Sequence, residues 1–249
     1  MKAALDRLAG KEIARVTRRE GNMRKLVLYS DQILPATEKV DRQLVVLMGH
    51  PSPTIGYIGS SPDPERKYYE ERRAYYARLG MTLSTYIDET YEPDQLEALF
   101  PCDAIHLTGG NTYHFLRWLR QRHMLARLRQ YATRGGVLIG VSAGAILMTP
   151  EIGTAALCGD TPPEVDVDLT ALGLVDFAFV PHFEGTPSEL VALQAYSRSR
   201  EGVVYACRDG DGIVVEGDQV RSIGNVTMMA KGEKVDGESR LTPSLVDRG

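Results

Sequence analysis

The sequence predicts an α/β protein whose mainly parallel sheet is covered by helices on both faces. Short apolar runs alternate with helical segments through most of the chain, as in consecutive β-α-β units. Of the 249 residues, 43% are hydrophobic, so one large core can form. We therefore expect a single domain over residues 23–249. Residues 1–22 are charged and interrupted by glycines, and are expected to form a frayed or short helical N-terminal extension.

The first part of the chain alternates regularly between the two element types. The strands are short and apolar, whereas the helices have apolar residues at three- and four-residue spacing or charged residues throughout. Pro64 and Gly80 mark the start and end of one helix. The predicted order is strand 25–30, helix 40–49, strand 54–60, helix 64–80, strand 81–87, helix 92–100, strand 103–110, helix 112–135 in one or two pieces, and strand 136–141.

The second part begins with a helix that opens at Ser142 and ends in shorter strands. Gly-Asp pairs punctuate those last strands and indicate hairpins, which would extend the sheet with antiparallel pairs. The predicted order is strand 177–183, helix 187–200, and strands 203–207, 212–217 and 220–225.

Composition excludes several classes of protein. The net charge of −4 gives no general attraction to nucleic acid or to an anionic membrane. No apolar run reaches the roughly 18 residues of a membrane helix, and the N-terminus lacks the apolar stretch of a secretory signal. The three cysteines match no metal-site or disulfide spacing. We therefore expect a cytoplasmic protein with reduced thiols and without a metal or cofactor.

The segment GVSAGA places a serine at the carboxyl end of a predicted strand. Ser142 directly follows the run VLIGV, and Gly140 and Gly144 leave room for a sharp strand-to-helix turn. This G-x-S-x-G pattern is typical of a nucleophile elbow, which exposes the serine hydroxyl. Glycines that only allow tight strand–helix packing would explain the pattern equally well.

A serine nucleophile needs a base, and His182 is the histidine best placed for that role. It follows the apolar run FAFVP, so it also lies at the carboxyl end of a strand. His106 lies inside a strand, and His114 and His123 lie on a helix, where structural roles are expected. A carboxylate should orient the base. The acidic residues between Ser142 and His182 are Glu151, Asp160, Glu164, Asp166, Asp168 and Asp176.

The segment LTGGNT at 107–112 follows a strand and begins a helix. Its glycine N–H groups could approach a substrate closely and supply an oxyanion donor. A phosphate-binding turn is the alternative, although the segment lacks both the G-x-G-x-x-G spacing and the Walker lysine.

The segments GGNTYHFL, GVSAGA and VPHFE, in this order, resemble the peptidase E family of serine peptidases, which includes aspartyl dipeptidases and cyanophycinases. The resemblance covers residues 25 to 224. It implies a three-layer α/β/α sandwich related to class I glutamine amidotransferases. It also implies Ser142 as nucleophile, His182 as base, and Gly110 and Ala143 as oxyanion donors. Asp160 is the closest match to the third triad member, with Glu164 and Glu151 as alternatives.

The sequence thus predicts a cytoplasmic serine exopeptidase, similar to dipeptidase E, that cleaves short peptides through an acyl-enzyme. Gly109, Asn111, Thr112 and Glu184 are the predicted substrate contacts. A preference for N-terminal aspartate would need a cation, for which Arg198 and Arg200 are available. A homodimer is a further hypothesis. The alternatives are a cyanophycinase-like peptidase, an α/β-hydrolase-type esterase, and a non-catalytic binding protein that kept the fold. A glutamine amidotransferase would have cysteine at the elbow instead of Ser142.

Overall fold

A computed structural model describes residues 24–163 and 168–235. The predicted N-terminal extension at 1–22 lies outside these residues, as does Glu164. The strands are β1 (Lys25–Tyr29), β2 (Thr54–Ile58), β3 (Thr82–Ile87), β4 (Ala104–Leu107), β5 (Val137–Val141), β6 (Ala178–Val180), β7 (Val204–Cys207), β8 (Gly212–Glu216), β9 (Gln219–Ile223), β10 (Val226–Ala230) and β11 (Glu233–Lys234).

The described helices occupy the positions between these strands. They are α1 (Glu38–Met48), α2 (Lys67–Ala77), α3 (Pro93–Leu99), α4 (Thr112–Gln121), α5 (Met124–Thr133), α6 (Ala143–Ile146) and α7 (Pro187–Arg198), with a 3-10 helix over Gly153–Cys158. The segment 112–135 therefore forms two helices, and His123, with φ 56°, marks the break between them. None of the described helices is both long enough and apolar enough to cross a membrane.

A seven-stranded sheet in the order β3-β2-β4-β5-β1-β8-β9 forms the centre of the described part. Its first five strands are parallel to one another. β8 and β9 add two antiparallel pairs beside β1. The predicted parallel sheet and its antiparallel extension by the late hairpin are thus confirmed.

Alternating side chains divide the apolar core between the two faces of this sheet. Leu26 and Leu28 of β1 face the layer of α4, α5 and α6, where they join one buried cluster. Val27 and Tyr29 face the opposite layer, which contains α1 and α2. Because successive strand residues point to opposite faces, one short apolar strand serves both cores. The three-layer α/β/α sandwich is confirmed.

The prediction placed β6 and β7 in the central sheet, and that placement was wrong. They belong to a second, four-stranded sheet in the order β11-β10-β7-β6, whose strands β10 and β11 were not predicted. Joining the parallel central sheet usually takes a full crossover helix. Between β5 and β6, the described residues form only the four-residue α6 and a 3-10 helix. β6 and β7 are parallel, so both end at the same edge. This edge is close to the end of β1, because the hydroxyl of Ser30 donates to Cys207 O at 3.0 Å.

Candidate active site

Ser142 lies in the turn between β5 and α6 with a backbone conformation that is unusual for a residue with a side chain. Its φ is 50° and its ψ is −111°. Such a backbone is costly and persists only where the surroundings hold it in place. Here the Ser142 N–H donates to Tyr29 O at 3.0 Å, and the Ser142 carbonyl accepts from Ala145 N at 2.9 Å. The turn therefore matches the predicted nucleophile elbow.

The turn leaves no room for a side chain at either glycine of GVSAGA. A Cβ at Gly144 would lie 2.1 Å from the carbonyl oxygen of Leu107 in β4. A Cβ at Gly140 would lie 2.6 Å from the backbone of Gly144 and Ala145. The glycines therefore let α6 start directly against β4 and β5, and this places Ser142 at the sheet edge.

The structure brings His182 to Ser142, as predicted. His182 Nε2 lies 2.8 Å from Ser142 Oγ. His182 follows β6 after Pro181 and has a φ of 55°. Its backbone N–H donates to Ser30 Oγ at 2.7 Å, and the next residue, Phe183, donates to Cys207 O at 2.9 Å. The ends of β1 and β7 thus hold the imidazole in front of the serine.

Asp209, which the sequence prediction missed, is the carboxylate beside the histidine. Asp209 Oδ1 lies 2.7 Å from His182 Nδ1 and 3.0 Å from Ser30 Oγ. Asp209 follows β7, whose parallel partner β6 leads to His182. The next residue, Gly210, has a φ of 86° and contacts Ala36 so closely that a Cβ could not fit. This turn fixes Asp209 at the edge where the histidine lies.

Asp160 is not the partner of His182, which corrects the predicted site. Its carboxylate accepts from Thr112 N at 2.7 Å and from Asn111 Nδ2 at 3.4 Å, at the start of α4. Asp160 therefore fixes the turn after β4. The prediction considered only acidic residues between Ser142 and His182, whereas the carboxylate that contacts His182 comes later in the chain.

Glu151, one alternative for the third position, also lies away from the histidine. Its carboxylate is 3.5 Å from Arg200 Nη1 and 3.4 Å from the Tyr196 hydroxyl. Tyr196 lies in the last turn of α7, and Arg200 follows the end of that helix. Glu164, the other alternative, lies outside the described residues. Within the described ranges, the carboxylate in contact with the His182 ring is that of Asp209.

The two residues predicted as oxyanion donors, Gly110 and Ala143, lie in the turns that follow β4 and β5, the strands that end beside Ser142. Ala143 is the first residue of α6, so its N–H has no partner inside the helix. Gly110 follows β4 with a φ of 131°, and a Cβ there would lie 2.1 Å from Ser60 Oγ. Gly109 packs against Ser142, because a Cβ on it would be 3.5 Å from Ser142 Cβ. The glycines thus let the backbone approach the serine closely.

A cavity of about 470 Å³ opens beside Ser142 and His182 and extends toward α2. Gly109 and Gly110 line it, but the other predicted substrate contacts do not. Asn111 and Thr112 begin α4, and the exposed Glu184 binds Arg208 through its carbonyl oxygen. The charged residues that line the cavity are Asp31, Asp63, Glu71 and Arg72.

The two arginines suggested for a substrate carboxylate also lie outside the cavity lining. Arg200 pairs with Glu151, and Arg198 packs against Gly232. The arginine that lines the cavity is Arg72 of α2.

Asp31, His182 and Asp209 form a group of possible metal ligands, with the ligand atoms within 4.8 Å of one another. However, both ring nitrogens of His182 already lie within hydrogen-bond distance of Ser142 and Asp209. A metal ion would have to displace one of these bonds. The arrangement therefore fits acid–base work by the imidazole better than metal coordination.

The sequence profile of peptidase family S51 matches residues 26–223, which include every residue of this arrangement. The chain belongs to peptidase family S51. The predicted resemblance to peptidase E is thereby confirmed.

Relatives in this family are distant in sequence. An uncharacterized peptidase of Listeria monocytogenes is 28% identical over 120 residues, which span 47% of this chain and 58% of that protein. Peptidase E of Shigella flexneri is 29% identical over 163 residues, or 64% of this chain and 69% of that protein. The chain thus spans little more than half of the Listeria relative and about two thirds of the Shigella one.

Solved structures share the S51 fold over most of the chain. A candidate peptidase E from Listeria monocytogenes superposes with a TM-score of 0.63 at 22% identity, covering 80% of this chain and 97% of the other. A peptidase from an acI-B1 actinobacterium has a TM-score of 0.60 at 15% identity, with coverage of 85% and 96%. These similarities concern the fold.

Proposed function

We propose that this S51 family member is a serine exopeptidase that hydrolyses short peptides, as dipeptidases do. The observation that carries the proposal is the continuous contact from Ser142 Oγ to His182 Nε2 at 2.8 Å and from His182 Nδ1 to Asp209 Oδ1 at 2.7 Å. A serine hydroxyl is a weak nucleophile until a base takes its proton, and a carboxylate keeps that base in the correct tautomer.

In the proposed reaction, Ser142 Oγ attacks the peptide carbonyl while His182 Nε2 takes the hydroxyl proton. Asp209 accepts the Nδ1–H of His182 and stabilises the imidazolium that forms. The Gly110 and Ala143 N–H groups stabilise the oxyanion. The imidazolium then gives its proton to the leaving amine, and the acyl-enzyme remains on Ser142. Water, activated by the same histidine, releases the acid product.

Cleavage near the N-terminus is proposed from the charges of the cavity. A free α-ammonium group that enters an enclosed pocket needs an anionic acceptor. Asp31 lines the cavity and has a carboxylate oxygen within 4.8 Å of ligand atoms of His182 and Asp209. It follows Ser30 directly at the end of β1, so its position relative to the imidazole is set by the sheet. We assign Asp31 as the acceptor of the substrate's amino terminus.

This assignment predicts a strong requirement for a free N-terminus. The enzyme is expected to cleave Ala-Leu at least about 100-fold faster, in kcat/KM, than N-acetyl-Ala-Leu, because the acetylated substrate leaves Asp31 without its cation. In Asp31→Asn, that ratio is expected to fall to less than about tenfold. Kinetics on both substrates with both proteins make the measurement.

Labelling of Ser142 by a fluorophosphonate is the control, because it needs no substrate ammonium group and checks that the substitution spared the nucleophile. Equal rates on the free and acetylated dipeptides, or cleavage in the middle of long chains, would contradict the exopeptidase assignment.

A preference for N-terminal aspartate is proposed to be modest. Arg72 lines the cavity and would attract a substrate carboxylate. Three carboxylates, from Asp31, Asp63 and Glu71, line the same cavity and oppose that attraction. The neighbouring charges therefore give an anionic side chain little advantage over a neutral polar one.

A further inference from the structure

Four polar side chains form a chain of hydrogen bonds that ends at the cavity. Arg72 Nη1 donates to Gln32 Oε1 at 3.0 Å, and Gln32 Nε2 donates to the Tyr76 hydroxyl at 3.1 Å. The Tyr76 hydroxyl lies 2.8 Å from His106 Nδ1. Arg72 and Tyr76 are one helical turn apart in α2, whereas His106 lies in β4. The chain therefore links the helix layer to the sheet beneath the cavity.

The directions of the first two bonds favour one tautomer of His106. A guanidinium can only donate, so Gln32 must turn its oxygen to Arg72 and its NH2 group to Tyr76. The Tyr76 oxygen accepts from Gln32, so its own hydrogen is free to point to His106 Nδ1. Nδ1 is then the acceptor, and the single proton of a neutral imidazole is on Nε2.

His106 itself is almost completely enclosed, yet it lines the cavity. Its relative exposure is 1%, and its ring stacks on Tyr57 with centroids 5.2 Å apart. No described residue forms a hydrogen bond with Nε2, and Nε2 is absent from the described polar atoms that are fully buried without a partner, so the small exposed part of the ring includes this nitrogen. Because His106 lines the cavity, its Nε2–H is available there. Burial, followed by the charge of Arg72, lowers the pKa of His106 to about 3, so the ring stays neutral at ordinary pH.

We propose that the Nε2–H of His106 is a specificity-determining donor that binds the side chain of the substrate's N-terminal residue. That side chain should end in an acceptor oxygen, either an amide or a carboxylate. An N–H that is buried without a partner is unfavourable, so a ligand that supplies an acceptor gains affinity over an apolar one of equal size. The inference rests on the proposed peptidase function, because it places the N-terminal residue in this cavity.

The kinetic test compares three side chains of similar shape at the N-terminus. We expect kcat/KM for Asn-Leu and for Asp-Leu to exceed that for Leu-Leu by at least about 100-fold. His106→Leu should reduce both ratios to below about tenfold, whereas His106→Gln, which keeps an N–H near the Nε2 position, should retain most of the selectivity. An unchanged ratio in His106→Leu, or wild-type selectivity for Leu-Leu, would overturn the proposal.

Tyr76 is a positioning residue in this scheme, and its test is the tautomer of His106. In the wild-type protein, 15N spectra of labelled histidine should identify His106 as the Nε2–H tautomer, without titration between pH 5 and 8. Tyr76→Phe removes the donor to Nδ1 and should produce a mixture of tautomers together with weaker selectivity. An Nδ1–H tautomer in the wild-type protein, or a Tyr76→Phe spectrum unchanged from it, would contradict the proposed relay.

A binding experiment separates this proposal from the proposed peptidase function. In Ser142→Ala, which cannot turn substrate over, Asn-Leu and Asp-Leu should shift the His106 Nε2 resonance, and Leu-Leu should not. If Ser142→Ala shows these shifts but the wild-type protein cleaves no peptide, the peptidase function is refuted and the His106 site is supported. Peptide cleavage by the wild type without such shifts would refute the His106 site alone.

Discussion

Ser142→Ala is expected to lower kcat for dipeptide hydrolysis by about 10⁴–10⁶-fold while leaving the fold intact. The reason is that the Ser142 hydroxyl lies 2.8 Å from His182 Nε2, the proposed base, and alanine offers no nucleophile. Alanine is smaller than serine, so it fits the same turn between Gly140 and Gly144. Steady-state kinetics and a thermal melt of the purified proteins make the comparison.

The control is Ser60→Ala, another serine that lines the cavity. It should leave most of the activity in place, because no described hydrogen bond joins Ser60 to the His182 ring. Ser142→Ala with more than a tenth of wild-type activity would remove Ser142 from the reaction.

Asp209→Asn is expected to lower kcat by about 10⁴-fold, as the equivalent change does in other triads. The amide can donate to His182 Nδ1, which would favour the tautomer with its proton on Nε2. That tautomer cannot take the Ser142 proton. Because aspartate and asparagine have nearly the same shape, the loss should appear in kcat with little change in thermal stability.

Asp160→Asn is the matched control for this substitution. Asp160 binds the backbone of Thr112 instead of the histidine, and an asparagine oxygen can still accept from that N–H. Its effect on kcat should be less than about tenfold. The opposite order, with Asp160→Asn more damaging than Asp209→Asn, would restore the carboxylate assignment made from sequence and contradict the one drawn from the geometry.

The central sheet could be predicted from sequence because each of its strands is a short apolar run flanked by helical patterns. β1 carries apolar residues on each of its two faces, such as Leu26 and Val27, and this indicates a strand that is buried on both sides. Which strands pair with which is a different matter. The apolar run of β6 looks like those of the central sheet, and what distinguishes it is that the described part of the connection from β5 contains no long crossover helix. The second sheet therefore was not predicted.

Ser142 and His182 could be located because both follow apolar runs, and the carboxyl ends of parallel strands gather at one edge of a sheet. The same reasoning applies to Asp209, which comes two residues after the run VVYAC. The Gly-Asp pairs beside this run also indicate hairpins, so the pattern alone does not distinguish Asp209 from a turn residue.

His106 illustrates what a sequence pattern leaves undetermined. Its position inside β4 predicts burial, and burial is what the structure has. The pattern does not show that the ring also lines a cavity, nor that Tyr76 of α2 lies against its Nδ1. The packing of a helix 30 residues away in the chain decides this contact.

The most direct test of the proposed mechanism is the site and rate of labelling by a fluorophosphonate. Ser142 Oγ attacks phosphorus and fluoride leaves, so each reacted chain carries one phosphonyl group that mass spectrometry of peptides can locate. We expect a single adduct on Ser142 in the native wild-type protein, no adduct after denaturation, and labelling at least about 100-fold slower in His182→Ala. An adduct on another residue, or an equal labelling rate in His182→Ala, would contradict the activation of Ser142 by His182.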